Sequence, residues 1–407
     1  MTGTPLPAPP SPEPDDAEPE PARPAGTAVV VGGGIGGLAA ALALRRIGWS
    51  ATVLERAPAF GEVGAGMSQS PNALRALDAL GVGERARSVG VPFHGPFDLR
   101  TPTGRHLVKA PPDSGTPLLG FHRSDLHRVL LEALPPAWLR TGAEVTGVRQ
   151  VAGGAVVESA VGDLRAEVVI GADGAHSIVR RTLWPEAGPP RFTGGTVWRG
   201  IAPTRLERGF MVMGRGAYAL AMPVAGDRVY WALAWRADGP GRRYDDEHAE
   251  VARRVADWPD DLRALVAATP AEAVLHHDVF DLAPLPDHAR GTVALLGDAA
   301  HLMCPDLAQG AGQALEDAVV LAAALATESG TRAALARYDA ERRPRSQWVA
   351  RSARDNARQN LAAGRVAHAA LVVSMSLVPS SRWARWAERG LAKLWGWRPP
   401  ALPEPRP

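Results

Sequence analysis

The sequence predicts an α/β fold: a Rossmann-like domain interrupted by an inserted antiparallel β-sheet and followed by C-terminal helices. Three observations predict it. A glycine cluster lies between two β-branched runs near residue 30, alternating aromatic runs fill residues 191–281, and the chain beyond residue 340 reads as helix.

The first of these is the most informative. Thr27 to Arg56 reads TAVVVGGGIGGLAAALALRRIGWSATVLER, an order of strand, glycine turn, helix (Leu38–Arg46) and strand ending at Glu55. Gly32, Gly34 and Gly37 supply a G-x-G-x-x-G spacing. The first permits the tight turn, the second lets a pyrophosphate approach the backbone, and the third lets the helix lie close on its strand. Free N–H groups and the positive dipole end of the helix then face the phosphates. Glu55, roughly 20 residues on, is placed to accept from a ribose 2′-OH. Ile35 and Gly36 belong to the same turn, and Arg56 follows the acid.

Composition narrows the class. The chain has 407 residues and a single cysteine, Cys304, so no internal disulfide forms and nothing points to an oxidising compartment. A formal net charge of +2 is too small to argue for nucleic acid. Residues 1–26 form a Pro-rich acidic tail with Glu13, Asp15, Asp16, Glu18 and Glu20 against Arg23. That composition predicts disorder, and without an apolar core or basic start it is no secretory signal. A cytoplasmic location is expected.

After the first unit, residues 60–68 form a glycine-laced loop. Its Gly64–Gly66 stretch either lets the backbone approach a flat ring or simply connects. Ser70 before Pro71 reads as an N-cap, with Leu74, Leu77 and Leu80 in the core. Residues 91–109, broken by Pro92, Pro96 and Pro102, read as a hairpin reaching away from the first domain. A helix follows in HRSDLHRVLLEAL, capped by Ser124 or Asp125, with Arg123 just before it. Residues 143–148 and 155–159 read as strands around Gly153-Gly154. Leu164–Ile170 reads as one strand running into GADGAHSIVRR, where Asp173 lies between glycines, either making an Asx turn or touching a bound cofactor.

In the middle segment, runs such as TVWRGI, AYALAMPV and RVYWALAW read as antiparallel strands with turns between them. Their side chains offer a lid over a small apolar molecule, with Arg199, Tyr218, Met222, Tyr230 and Trp231 as candidate lining residues. Helices are expected at about 247–258 and 262–268. A third glycine site follows the apolar strand TVALL: Gly297-Asp298, then a loop through Cys304, Pro305 and Asp306, then a helix over Gln313–Leu325. Its N-terminus near Gly310, Ala311 and Gly312 offers unpaired donors to an electron-rich group.

Together these motifs resemble the single-component, class A FAD-dependent monooxygenases, the family of para-hydroxybenzoate and salicylate hydroxylases. GGGIGG with Glu55, GADGAHSIVRR and GDAAHLMCPDLAQGAGQALEDA occur in the family's order, and Arg123 and YDAERRPR fit as well. The resemblance implies a GR2-type FAD-binding domain over residues 27–90, 119–185 and 284–345. A substrate-binding sheet domain would occupy 91–118 and 186–283, and a helical region 346–407. Gly32, Gly34, Gly37 and Glu55 would hold the ADP half of FAD. Gly66, Arg123, Asp173, Gly297 and Pro305 would contact the cofactor, Asp298 its ribityl oxygens, and Gly310–Gly312 its ring.

The implied reaction is flavin-borne, so no nucleophile, triad or metal site is expected. NADPH or NADH would reduce the flavin, docking transiently because no second G-x-G-x-x-G occurs. A C4a-hydroperoxide would pass one oxygen of O2 to a small aromatic or heteroaromatic substrate. Epoxidation of a polyene double bond and a non-catalytic flavin-binding role are the competing readings. Relatives commonly carry a small polar residue at the place of Cys304, which is expected to be a packed thiol; Asp306, near the ring, bears on substrate choice.

At the C-terminus, Glu341–Asn360 reads as a charged helix after Pro344. Val366–Val378 is apolar but shorter than the roughly 20 residues a span needs. Arg382–Trp397 is amphipathic, with Trp and Leu opposite Arg and Lys. Packing on the body is expected, with a membrane interface as the alternative, and the protein is expected to be a monomer or homodimer.

Overall fold

A computed structural model describes residues 24–61, 66–95, 98–109, 116–362 and 364–403. Most of the acidic tail, and Gly64, lie outside the described residues. In chain order the elements are β1 (Thr27–Val31), α1 (Ile35–Arg46), β2 (Ser50–Leu54), β3 (Gly66–Gln69), α2 (Pro71–Ala79), α3 (Gly83–Val89), β4 (Val91–Gly95), β5 (Asp98–Arg100), β6 (His106–Val108), β7 (Thr116–His122) and α4 (Arg123–Glu132). The middle holds β8 (Leu139–Arg140), β9 (Val145–Val151), β10 (Gly154–Ser159), β11 (Leu164–Ala166), β12 (Val168–Gly171), α5 (Ile178–Leu183), β13 (Arg191–Ala202), β14 (Phe210–Gly214), β15 (Ala217–Val224) and β16 (Arg228–Arg236). The chain ends with α6 (Glu247–Arg254), α7 (Asp260–Ala268), β17 (Leu275–Asp281), β18 (Ala289–Arg290), β19 (Val293–Leu295), α8 (Asp298–His301), α9 (Gly310–Thr327), α10 (Thr331–Asn360), α11 (Arg365–Leu377) and α12 (Ser380–Trp395).

A six-stranded sheet, in the order β18-β19-β12-β1-β2-β8, is parallel except at β18. Strand β1 is apolar throughout because both of its faces are covered. Ala28 and Val30 pack with α1, α2, α4 and α9, whereas Val29 and Val31 pack with Val157, Val179 and Trp184 on the other side. The GxG turn opens α1 three residues earlier than Leu38, at Ile35, because Ile35–Gly37 form its first turn.

The second sheet has seven strands, in the order β17-β13-β16-β15-β14-β5-β6. One face carries Trp198, Phe210, Trp231 and Leu233 against Val251, Leu262 and Val266 of α6 and α7. Trp231 therefore does not line a substrate site: its Nε1 donates to Thr269 Oγ1 at 2.8 Å on the helix-covered side. The alternation of β16 sends Tyr230, Ala232 and Ala234 to the opposite face, toward the first sheet.

Several local expectations change. The residues 91–109 divide between two sheets: β4 pairs with β7, and only β5 and β6 form a hairpin, at the edge of the large sheet. Leu164–Ile170 is two strands, β11 joining the β9–β10 hairpin and β12 the parallel sheet. Arg123 begins α4 instead of preceding it, and no side chain caps that helix, since the Ser124 hydroxyl bonds His122 Nδ1 at 2.6 Å. Ser70 holds the cap position of α2 without capping it: its hydroxyl donates to Asn72 Oδ1 at 2.7 Å. Pro344 lies inside α10.

On the Trp and Leu side of α12, Leu394 is buried and Trp395 packs on two core clusters. Arg75 donates to the carbonyls of Trp395 and Trp397, tying this end to α2. Among the described residues no helix is long and apolar enough to cross a membrane.

Candidate active site

A cavity of about 340 Å³ lies between the open face of the seven-stranded sheet and the first domain. Both α1 and α9 point their N-termini at it: Gly34, Ile35 and Gly36 line one part, Gly310 and Ala311 another. First-turn N–H groups lack intrahelical acceptors, and no side chain caps either helix. Two sets of free donors, each with the positive end of a helix dipole behind it, thus open into one space.

The glycines at the first set are required by packing. Gly32 has φ +108, and a Cβ there would lie 2.4 Å from the Ala172 carbonyl oxygen. At Gly37 a Cβ would lie 1.9 Å from the Gly32 oxygen, so only glycine lets α1 start this close to β1. Neither lines the cavity, in keeping with a structural task. Glu55 accepts from the N–H groups of Gly33 and Ala57, each at 2.8 Å, which fixes its carboxylate at the turn; Arg56 beside it is exposed. His127, which the sequence did not single out, is buried in α4 and bonds the Gly33 carbonyl through Nε2 at 2.8 Å. Arg123, one turn earlier on α4, reaches the cavity.

Asp173 stands beside the cavity residues Ala172 and Gly174, and its Oδ2 accepts from Ile178 and Val179 at the start of α5. Burial raises its pKa against those bonds, and its Oδ1 is buried without a partner. One carboxylate oxygen therefore braces the loop while the other awaits a donor. Seven residues after Asp173 in the same motif, Arg180 is buried and donates to the carbonyls of Ala299 (2.8 Å) and Ala175, joining the second glycine site to the third.

At the third site Gly297 (φ +59) and Asp298 line the cavity. They are held from below by α9. Asp317 Oδ2 accepts from Gly297 N–H at 3.0 Å and meets His301 Nε2 at 2.6 Å. Arg342 of α10 donates to Asp317 Oδ1 at 2.7 Å and to Glu316 Oε2 at 2.6 Å. Glu316 also accepts from Asn72 and Arg345, and Asn72 donates to Gln309 at the start of α9. Burial alone would raise the Asp317 carboxyl; the charges of His301 and Arg342 and the bonds to it hold it well below the ordinary carboxylate range. Two adjacent acids in an otherwise apolar helix were the available signal for this network, since buried charges demand partners. A Cβ at Gly312 would fall 3.3 Å from the Ala73 side chain, and Gly312 is not on the cavity lining.

The sheet side of the cavity is a row of paired residues. Val197, Ala234 and Tyr218 lie abreast on β13, β16 and β15, as do Arg199, Ala232 and Leu220, with Tyr230 opposite Met222. All of these line the space, and the small alanines of the central strand leave its floor open. No carboxylate among the described residues pairs with Arg199. Gly66 lets β3 cross this row, because a Cβ there would fall 2.3 Å from Tyr230. Tyr218 donates from its hydroxyl to Asp306 Oδ1 at 2.9 Å, and Asn360 donates to the same oxygen at 3.3 Å. Asp306 thus stands behind Tyr218 rather than on the lining, and burial raises the pKa of both groups against the bond between them at Asp306. Pro305 lines the cavity. Cys304 is almost fully buried, and burial with Asp306 and Asp281 nearby pushes its thiol up to about 12, so it stays protonated.

Residues 26–353 match the model of a family described as the FAD binding domain. The chain belongs to this FAD-binding family. Over 326 residues it is 37% identical to aurachin C monooxygenase/isomerase of Stigmatella aurantiaca, covering 78% of this chain and 85% of that one. It is 34% identical over 360 residues to salicylate hydroxylase of Pseudomonas putida, covering 78% and 82%. Klebsiella pneumoniae HpxO, solved with FAD and uric acid, matches with a TM-score of 0.81 at 26% identity, covering 88% of this chain and 95% of that one. The protein is therefore a class A FAD-dependent monooxygenase of the salicylate and hydroxybenzoate hydroxylase group. The site suits the cofactor on its own terms: two uncapped helix N-termini, an unpartnered Asp173 oxygen, and glycines at Gly34 and Gly36 where the backbone itself forms the wall.

Proposed function

We propose that the protein hydroxylates a small anionic aromatic compound, with NADPH or NADH as electron donor and O2 as the source of the inserted oxygen. Arg199 carries this reading: a guanidinium without a carboxylate partner, set among Val197, Leu220, Met222 and Tyr230 in the cavity that both helix N-termini face. A cation in an apolar recess asks for an anion. Salicylate, which the Pseudomonas putida relative is named for, is an aromatic carboxylate.

When bound, FAD would supply the redox and O2-activating chemistry. The chain's residues would do the rest. Ile35 and Gly36 N–H groups would take the pyrophosphate, Glu55 the ribose, and Asp298 the ribityl hydroxyls. The start of α9 at Gly310 and Ala311 would stabilise negative charge on the ring. Arg199 would orient the substrate anion, while the apolar row keeps bulk water from the reacting centre. Tyr218 Oη would accept the proton of a substrate hydroxyl as it passes its own to Asp306 Oδ1. Sequence offers no second dinucleotide fold, which supports transient docking of the nicotinamide. Stimulation of NAD(P)H consumption across a panel of hydroxybenzoates and their uncharged amides tests the reading; equal response to both sets would sink the anionic requirement.

A further inference from the structure

Four of the five large apolar side chains exposed among the described residues lie within residues 366–378: Val366 (84% exposed), Val373 (56%), Leu377 (77%) and Val378. Val366, Ala370, Val373 and Leu377 follow a 4-3-4 spacing on α11 and are all exposed, so they form one continuous stripe. The opposite stripe does the packing: Val372 and Met375 lie with Trp383 against the cluster of Met213, Tyr218 and Ala234. On α12, Arg382, Arg385 and Arg389 follow a 3-4 spacing and are also exposed. Among the residues whose side chains are described, no carboxylate pairs with any of the three. A groove of about 690 Å³ beside the packing side of α11 is lined by Ser374, Met375, Val378, Trp383 and the three arginines.

Apolar stripes of this kind are rarely left to water. Residues 365–395 hold five basic residues against one acidic, a net of +4, so the occupant must be anionic as well as apolar. A second copy of this chain meets that need poorly, because a two-fold contact would set one row of arginines against another. We propose that the α11–α12 hairpin docks on the surface of an anionic phospholipid bilayer, with the α11 stripe in the acyl boundary and the α12 arginines at the headgroup phosphates. Leu394 and Trp395 of α12 are spent on the protein body and take no part in this surface. Docking would bring the strand that carries Tyr218 within about one helix diameter, ~10 Å, of the lipid.

Sedimentation of the FAD-loaded, full-length protein with vesicles tests this. Vesicles of equal parts phosphatidylcholine and phosphatidylglycerol should carry the protein down, and pure phosphatidylcholine about tenfold less. Val373→Ser with Leu377→Ser should weaken binding about tenfold. Arg382→Gln and Arg385→Gln should each weaken it about fivefold. Flavin absorbance and turnover of a soluble substrate should be unchanged in all of them. The proposal is overturned if the protein stays in solution with phosphatidylglycerol vesicles, or if the double serine variant sediments like the parent. It is equally overturned if light scattering shows a dimer that the serine variant abolishes while no vesicle binding occurs. None of these readouts depends on which substrate is hydroxylated.

Discussion

Asp317 holds the backbone N–H of Gly297 at 3.0 Å, so a residue inside α9 fixes the glycine turn that faces the same cavity as that helix's own N-terminus. Replacing it as Asp317→Asn would leave Arg342 buried with half of its charge partners removed. Loss of one member of such a buried network costs about 3–5 kcal/mol. Chemical denaturation should show that loss together with reduced flavin content. The pH sign follows from the depressed folded pKa: the contribution is full above the unfolded carboxylate value, and acid removes it progressively. Parent stability should therefore fall below about pH 4, the unfolded value, and the variant's should fall less.

Gly310→Ala separates folding from cofactor binding. Its nearest heavy atom to an added methyl would be Asp298 Oδ1 at 3.9 Å, so the apoprotein has room for it. The methyl occupies the cavity at the start of α9, where the ring is proposed to lie. Apoprotein melting should shift by no more than about 1 kcal/mol equivalent, since Ala favours helix. FAD titration should show weaker binding.

Asp306→Asn should alter pH dependence in the opposite sense to Asp317. Because burial raises the folded pKa of Asp306, the native chain keeps that proton to higher pH than the unfolded chain does. Its stabilising contribution is present at low pH and is lost as pH rises through the raised value. The asparagine variant should gain stability relative to the parent as pH rises, by urea midpoints from acid to neutral. If Asp306 takes the substrate proton through Tyr218, the variant should also lose the acid-side dependence of kcat on pH.

Arg199→Gln should raise KM for a hydroxybenzoate by about 10- to 100-fold, the equivalent of one charge-assisted hydrogen bond, while leaving an uncharged analogue unaffected. Ala232→Leu should block the same substrates by filling the floor between Arg199 and Leu220. Its neighbour behaves differently. Trp231→Ala faces the helices and should cost about 3–5 kcal/mol of stability with little change in KM.

Local pattern made the fingerprint, the two later glycine sites and the aromatic sheet legible, because strand apolarity and glycine spacing are properties of short stretches. The sheet's two faces were less so: Tyr230 and Trp231 are equally aromatic, and only the period-2 alternation set against the neighbouring helices tells which one meets the cavity. The buried network of Asn72, Glu316, Asp317 and Arg342 draws on segments more than 240 residues apart, which no local pattern encodes. Pro344 inside α10 misled for the opposite reason, as packing of Tyr338, Val349 and Ala353 outweighs a local helix breaker.

The proposed reaction transfers one atom of O2 to an anionic aromatic ring at the cavity joining α1, α9 and the seven-stranded sheet. Turnover under ¹⁸O2 with NADH or NADPH and a hydroxybenzoate panel, read by mass spectrometry, tests it most directly. The expected result is a hydroxylated product carrying one ¹⁸O, formed by the parent and lost in Arg199→Gln at the same substrate concentration. Reduced nicotinamide consumed entirely as hydrogen peroxide, with no labelled product from any member of the panel, would contradict it.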